Sequence, residues 1–230
     1  MQPIALALPV IAGKEDTLEA FALELKNRGD EFAAFGRRTG ANREVAFLQR
    51  TPYGSSLITY QEREVSSASQ PATSREFDEW ISARLTEIHG FDPASTERPP
   101  VDMLVRRRAP RRGSLYALAL PVVPNKTGRF REFASELNGI HEAEYDESLR
   151  RFQIGVTLFL EQTPHVDLVI SVIEGEEPAS VFGGLATSSN PFDRWHMGQI
   201  AELHGLDLSA PPPPPNQQLW SWEGSPVSSR

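Results

Sequence analysis

The chain contains the same module twice. The segment 5–10 reads ALALPV and the segment 117–122 reads ALALPV again, and an offset of 112 also carries Phe47 onto Phe159. Further along the offset becomes 115, so that FDEW at 77–80 falls on FDRW at 192–195 and His89-Gly90 on His204-Gly205. Two copies are too few for an open solenoid, which needs at least about three repeats to bury a core. We therefore expect two modules of ordinary domain size, residues 1–112 and 113–230, with a basic linker over 106–114.

Each copy has the same predicted order of elements. A short apolar strand bounded by Pro is followed by a helix with Phe and Leu on one face, and then by two strands of a hairpin. A second helix carries the Phe-x-x-Trp pair and ends at Gly90 or Gly205 in a left-handed cap, and Asn190-Pro191 marks its start in the second copy. Pro-rich spacers then lead to fourth strands near 101–105 and 219–222.

The order β-α-β-β-α-β is that of the ferredoxin-like split unit, an α+β fold. We expect two such modules with antiparallel sheets that pack into an intrachain pseudo-dimeric α/β barrel. The sequence does not decide whether two chains form a further homodimer. The polar segment 66–73 is predicted to be a mobile loop.

Composition excludes several classes of site. The chain has no Cys, which excludes disulfides and thiolate metal sites, and it lacks the Gly-rich loops that hold nucleotides. We predict no metal and no cofactor. The net charge is −8 and the excess acid lies in the second copy, so nucleic acid is not an expected partner. No apolar run approaches the ~20 residues of a membrane span, and we expect a cytoplasmic protein with no membrane partner.

With this element order, the duplication and the aromatic second helix, the chain resembles the dimeric α/β-barrel superfamily. That superfamily includes antibiotic biosynthesis monooxygenases, related cyclases and haem-degrading enzymes. The motif that carries the resemblance is Phe-x-x-Trp followed nine residues later by His, present as Phe77, Trp80, His89 and as Phe192, Trp195, His204. In haem-degrading members a similarly spaced His binds the haem, but those members carry an Asn on the first strand that neither ALALPV segment has.

The resemblance implies a cofactor-free monooxygenase or cyclase that acts on an aromatic or polyketide-like small molecule. A non-catalytic small-molecule-binding or structural protein is the alternative, and haem binding is a weaker one. The candidate catalytic residues are His89, His204, Arg38 and Arg150, and the candidate pocket residues are Trp80, Trp195, Phe77, Phe192, Phe47 and Phe159. The alternative for both histidines is a structural one, a charged side chain that caps the last carbonyls of its helix.

Overall fold

A computed structural model of the chain describes residues 1–63, 75–93, 100–209 and 214–224. The segment 66–73, predicted as a loop, lies outside these residues. The chain divides into two compact units: unit 1 contains Met1–Pro99 with Asn216–Arg230, and unit 2 contains Pro100–Pro215.

Unit 1 is an antiparallel sheet of four strands with helices, and its strand order is β1-β3-β2-β8. Its elements are β1 (Gln2–Val10), α1 (Glu15–Asn27), α2 (Gly29–Arg38), β2 (Ala41–Thr51), β3 (Gly54–Arg63), α3 (Arg75–His89) and β8 (Gln217–Glu223).

Unit 2 has the same design, with strand order β4-β6-β7-β5. Its elements are β4 (Val101–Arg107), β5 (Ser114–Pro121), α4 (Thr127–Asn138), α5 (Glu142–Phe152), β6 (Gly155–Gln162), β7 (Asp167–Gly175), a 3-10 turn (Pro178–Ser180), α6 (Val181–Thr187) and α7 (Pro191–His204).

The predicted α+β class is confirmed. In unit 1 both β1 and β2 are antiparallel to β3, which lies between them, and β5, β6 and β7 have the same relation in unit 2. A strand inserted between two parallel strands that are connected by a helical crossover is the pattern of a split β-α-β unit. The architecture is consistent with a tandem ferredoxin-like arrangement. Each sheet is open, with β1 and β8 or β4 and β5 at its edges.

The fourth strands are exchanged between the repeats. Strand β4 follows the first repeat in the chain but pairs with β6 of unit 2, where Val101 lies opposite Glu161. Strand β8 follows the second repeat but pairs with β2 of unit 1, where Arg43 lies opposite Glu223. The compact units therefore divide near residue 100, because the fourth strand belongs to the unit whose sheet it extends.

The helices bury apolar stripes against one face of the sheet in each unit. In unit 1, α1 contributes Phe21 and Leu25 to the core, and in unit 2, α4 contributes Phe133 and Leu137. The helix ends follow the prediction: the Asn190 side chain accepts a hydrogen bond from the amide of Phe192, and Gly205 ends α7 with a φ of 66°. Glycine adopts this left-handed backbone without the steric penalty of a side chain. Among the described residues, no helix combines the length and the apolar character that crossing a membrane requires.

Candidate functional site

The two repeated histidines join the end of a helix to the end of the first strand. His89 Nδ1 lies 2.7 Å from the carbonyl oxygen of Pro9, and His204 Nδ1 lies 2.8 Å from that of Pro121. A carbonyl oxygen only accepts, so Nδ1 carries the proton and donates, and Nε2 of the neutral ring is an acceptor.

Burial lowers the pKa of both histidines, although the hydrogen bond to the proline carbonyl acts in the opposite direction. The rings are therefore neutral at neutral pH. The expectation of a charged histidine that caps its own helix is wrong, because the bond that forms is to the adjacent strand and burial disfavours the cation.

Unit 2 contains a cavity of about 90 Å³ between the sheet and the helices. Its wall is formed mainly by apolar side chains from β5 to β7 and α4 to α7, among them Leu118, Phe130, Phe133, Leu149, Leu158, Val169, Phe182, Leu185 and Ile200. Helix α6 supplies Val181, Phe182 and Leu185, of which Phe182 and Leu185 are partly exposed. No Lys, Arg, Asp or Glu is part of the wall.

A few polar side chains interrupt the apolar wall: Tyr145, Ser148, Ser171, His196 and His204. His196 is 9% exposed, and its Nδ1 is buried with no hydrogen-bond partner. Burial lowers the pKa of His196 to about 4, while the charge of Asp193 acts in the opposite direction. Burial likewise raises the pKa of Tyr145. Both side chains are therefore uncharged at neutral pH, and the wall carries no formal charge.

Asp193 is not part of the cavity wall but binds the wall residue Ser148. Its carboxylate is completely buried and accepts hydrogen bonds from Ser148 Oγ at 2.7 Å, from Arg151 Nη2 at 2.8 and 2.9 Å, and from Ser188 Oγ at 2.5 Å. Burial opposes its ionisation, but the hydrogen bonds from Ser188 and Ser148 and the charge of Arg151 outweigh it and hold the pKa of Asp193 below its usual value. The wall residue Ser148 thus donates a hydrogen bond to an aspartate whose lowered pKa makes it a weak base for activating a hydroxyl nucleophile.

Unit 1 has a larger or more apolar side chain at two of the corresponding positions. Aligning the starts of α2 and α5 places Phe35 at the position of Ser148, and the offset of 115 places Ile81 at the position of His196. Phe35 packs against the ring of Phe77, with the ring centroids 6.2 Å apart.

The fourth strands also differ, because the one in unit 1 carries the larger side chain at a corresponding position. Trp220 of β8 lies opposite Ala46, at the ladder position where β4 has Val105 opposite Leu158. The Trp220 indole packs edge-on against Phe21 and Phe32, and its Nε1 donates to Glu44 at 2.9 Å. The two repeats thus share a backbone design but fill it with side chains of different size and polarity.

Of the residues predicted to form a site, the structure places only His204 in the wall of this cavity. The aromatic pairs of α3 and α7 lie outside the wall and are covered by neighbours. Arg28 lies 4.4 Å above the ring of Trp80 and 4.8 Å above that of Phe77, and the His141 ring lies 4.1 Å from that of Trp195 and 5.9 Å from that of Phe192.

Phe47 and Phe159 are buried but point away from the helices. Their strand neighbours Ala46 and Leu48, or Leu158 and Leu160, belong to the cores under the helices. Because alternate residues of a strand face opposite sides of the sheet, both phenylalanines lie on the other face.

The two predicted arginines are not equivalent. Arg38 is buried and pairs with Asp78, whereas Arg150 is exposed and lies 3.8 Å from Glu147. The true counterpart of Arg38 is Arg151, which pairs with Asp193 as Arg38 does with Asp78. The two helices align at an offset of 113, not 112, and one residue turns a helical side chain by about 100°.

Sequence reasoning missed His196, Ser148 and Tyr145. One signal for His196 was present: a polar residue of the second repeat stands where the first repeat has Ile81, on the buried stripe of the helix. Among the described residues there is no group of three or more side chains suited to holding a metal ion.

The chain was compared with known proteins in three ways. No family model matches it, and no match was found among curated proteins or among solved structures.

Proposed function

We propose that unit 2 binds one small, neutral, largely apolar molecule in the cavity between its sheet and α4 to α7. The observation that carries the proposal is the wall itself, which is apolar and aromatic, has a few uncharged polar groups and contains no charged side chain. Sites for small organic molecules typically have this composition, in which apolar area supplies affinity and a few polar groups fix orientation.

The size of the cavity limits the ligand. Its volume of about 90 Å³ is smaller than that of an engineered apolar cavity of ~150 Å³ that holds benzene. A single ring fits if it extends toward the partly exposed side chains of α6, Phe182 and Leu185. A polycyclic polyketide-like molecule and a haem macrocycle are both larger than this volume, and the surrounding helices would have to move to admit either of them.

As the family assignment, we propose that the chain is a tandem ferredoxin-like protein of the dimeric α/β-barrel superfamily. The duplicated module, the two antiparallel sheets and the Phe-x-x-Trp motifs support this assignment. The packing of the two modules into a pseudo-dimeric barrel stays a prediction.

Catalysis on the bound molecule is a second candidate, of the cofactor-free monooxygenase or cyclase type. The difference between the repeats favours it, since a fused pair needs only one working site. His196 is a weak base because burial lowers its pKa to about 4, so rate enhancement would come from positioning and exclusion of water.

Binding is tested with fluorobenzene as the probe, followed by fluorine NMR. We expect saturable broadening of the probe signal with the wild-type protein. Leu118→Trp fills the cavity from β5 and should abolish the effect, whereas Leu6→Trp makes the same change at the corresponding strand position of unit 1 and should leave it intact. Equal binding by both variants would place the probe elsewhere and refute the proposal.

Catalysis is tested by oxygen uptake with phenol and hydroquinone. A rate above that of buffer, lost in Leu118→Trp and kept in Leu6→Trp, would support an oxygenase. No uptake with a probe that demonstrably binds would leave binding without this reaction.

A further inference from the structure

The cavity contains one polar atom whose hydrogen-bonding role is fixed by the fold. Because His204 Nδ1 donates to the carbonyl of Pro121, the proton of the neutral ring is committed to that bond. Nε2 therefore has a lone pair and no proton. His204 is one of the residues that line the cavity, and Nε2 is the hydrogen-bonding atom of its ring that Pro121 does not engage.

The first repeat contains the same histidine with the same hydrogen bond. His89 donates from Nδ1 to Pro9 in the same way, but its Nε2 is buried and has no hydrogen-bond partner. The bond to the strand accounts for a structural role in both repeats. In the second repeat that bond is combined with a place on the cavity wall.

Two of the other four polar side chains of the wall have different surroundings. Ser148 already donates to Asp193, and His196 has its Nδ1 buried beside aromatic rings: the ring centroids of Phe133, Tyr145 and Phe192 lie 5.5 to 5.7 Å from its own.

We propose that His204 determines the polarity of the ligand: its Nε2 accepts a hydrogen bond from a neutral, single-ring molecule that carries one hydroxyl or N–H donor, such as a phenol. The inference rests on the proposed binding function. An anionic ligand is disfavoured because the wall holds no positive charge, and an ether or ketone offers His204 no proton. His204 is thus a specificity-determining residue that also holds α7 to β5.

The test compares three probes of similar size, para-fluorophenol, para-fluorotoluene and para-fluoroanisole, by fluorine NMR titration. In the wild-type protein the phenol should bind more tightly than the anisole, which has the same oxygen but no proton to donate. In His204→Phe the preference for the phenol over the toluene should fall about 3- to 10-fold, since one neutral hydrogen bond contributes about that much. Binding of the toluene should persist.

The matched control is His89→Phe, which removes the same helix-to-strand hydrogen bond in unit 1. It should lower stability to a similar extent and leave the probe preference unchanged. An unchanged phenol-to-toluene ratio in a folded His204→Phe protein would overturn the inference while the binding function stands. If that variant does not fold, the wild-type comparison decides: equal affinity for phenol and anisole overturns it. Failure of all three probes to bind would instead refute the binding function itself.

Discussion

The buried carboxylate of Asp193 is expected to be among the most sensitive single positions of unit 2. Asp193→Ala removes the acceptor of two serine hydroxyls and of a guanidinium, and it leaves Ser148 buried without its partner. The side chain lies between α5 and α7, so its loss also removes a hydrogen-bonded link between the two helices that carry Tyr145 and His196.

The magnitude follows from burial. Breaking a buried ion pair costs about 3–5 kcal/mol, because one charge remains without compensation. Arg151 is 36% exposed and can turn toward water after the substitution, which reduces the cost. The two serines each lose a hydrogen bond to a charged group, worth about 1.5–3 kcal/mol before relaxation. These terms overlap, and we expect a loss of about 3 kcal/mol in the free energy of unfolding.

Asp146→Ala is the matched control. Asp146 pairs with Arg107 at 2.8 Å, the same N–O distance as in the Arg151–Asp193 pair, but its side chain is 43% exposed. Exposed pairs contribute about 1 kcal/mol or less. The comparison therefore separates burial from distance as the source of the effect.

The assay is urea unfolding followed by circular dichroism, with amide exchange of α5 and α7 peptides to assign the loss to unit 2. The pKa of Asp193 is lowered in the folded state, so its contribution is present above the unfolded value and is lost as the pH falls through the folded one. The difference between the wild type and Asp193→Asn should therefore shrink only below about pH 4. The reasoning is refuted if Asp193→Ala costs no more than Asp146→Ala.

Three further predictions concern the strands and caps. Burial raises the pKa of Glu44, whereas hydrogen bonds from Trp220 and Gln61 act to lower it. The folded state therefore loses stability relative to the unfolded state as the pH rises from about 4.5 through the raised pKa. Over that rise Glu44→Gln should gain in unfolding free energy relative to the wild type, and a pH-independent difference would contradict this. Gly205→Ala, at a φ of 66°, should destabilise the protein by about 1 kcal/mol in thermal unfolding. Gly183→Ala in α6, where a methyl group meets no atom within 4 Å, should stabilise it by about 0.5 kcal/mol. A stability change of the same sign in both variants would be incompatible with the backbone argument. A fragment of residues 100–215 contains a complete four-stranded sheet and should give a dispersed amide NMR spectrum, whereas residues 113–230 lack β4 and should not. A dispersed spectrum from residues 113–230 would contradict the assignment of β4 to unit 2.

Much of the local structure could be predicted because it depends on neighbours in the chain. The Asn190-Pro191 start of α7 and the Gly205 cap are set by the backbone preferences of two or three residues. The strands β4 and β8 were also expected as elements. Their sheet partners were not, since an open antiparallel edge offers the same amides and carbonyls to any strand and composition does not select between two similar sheets.

The site was harder to predict than the fold. A repeat search favours positions that match, such as Trp80 and Trp195, and matching positions serve the shared core. The cavity wall includes two positions at which the repeats differ in polarity, Ser148 and His196. His204 matches His89 in its hydrogen bond to the first strand, and it is also one of the residues that line the cavity.

The most direct test of the account is a crystal structure of the full chain under xenon pressure. Xenon enters small apolar cavities and reports them by its scattering. We predict a xenon site in unit 2 enclosed by Leu118, Phe133 and Ile200, and none at the corresponding position of unit 1 among Leu6, Phe21 and Leu85. A core of unit 2 without xenon would contradict the central claim of a ligand-sized space there, and a site at that position in unit 1 would contradict the predicted difference between the repeats.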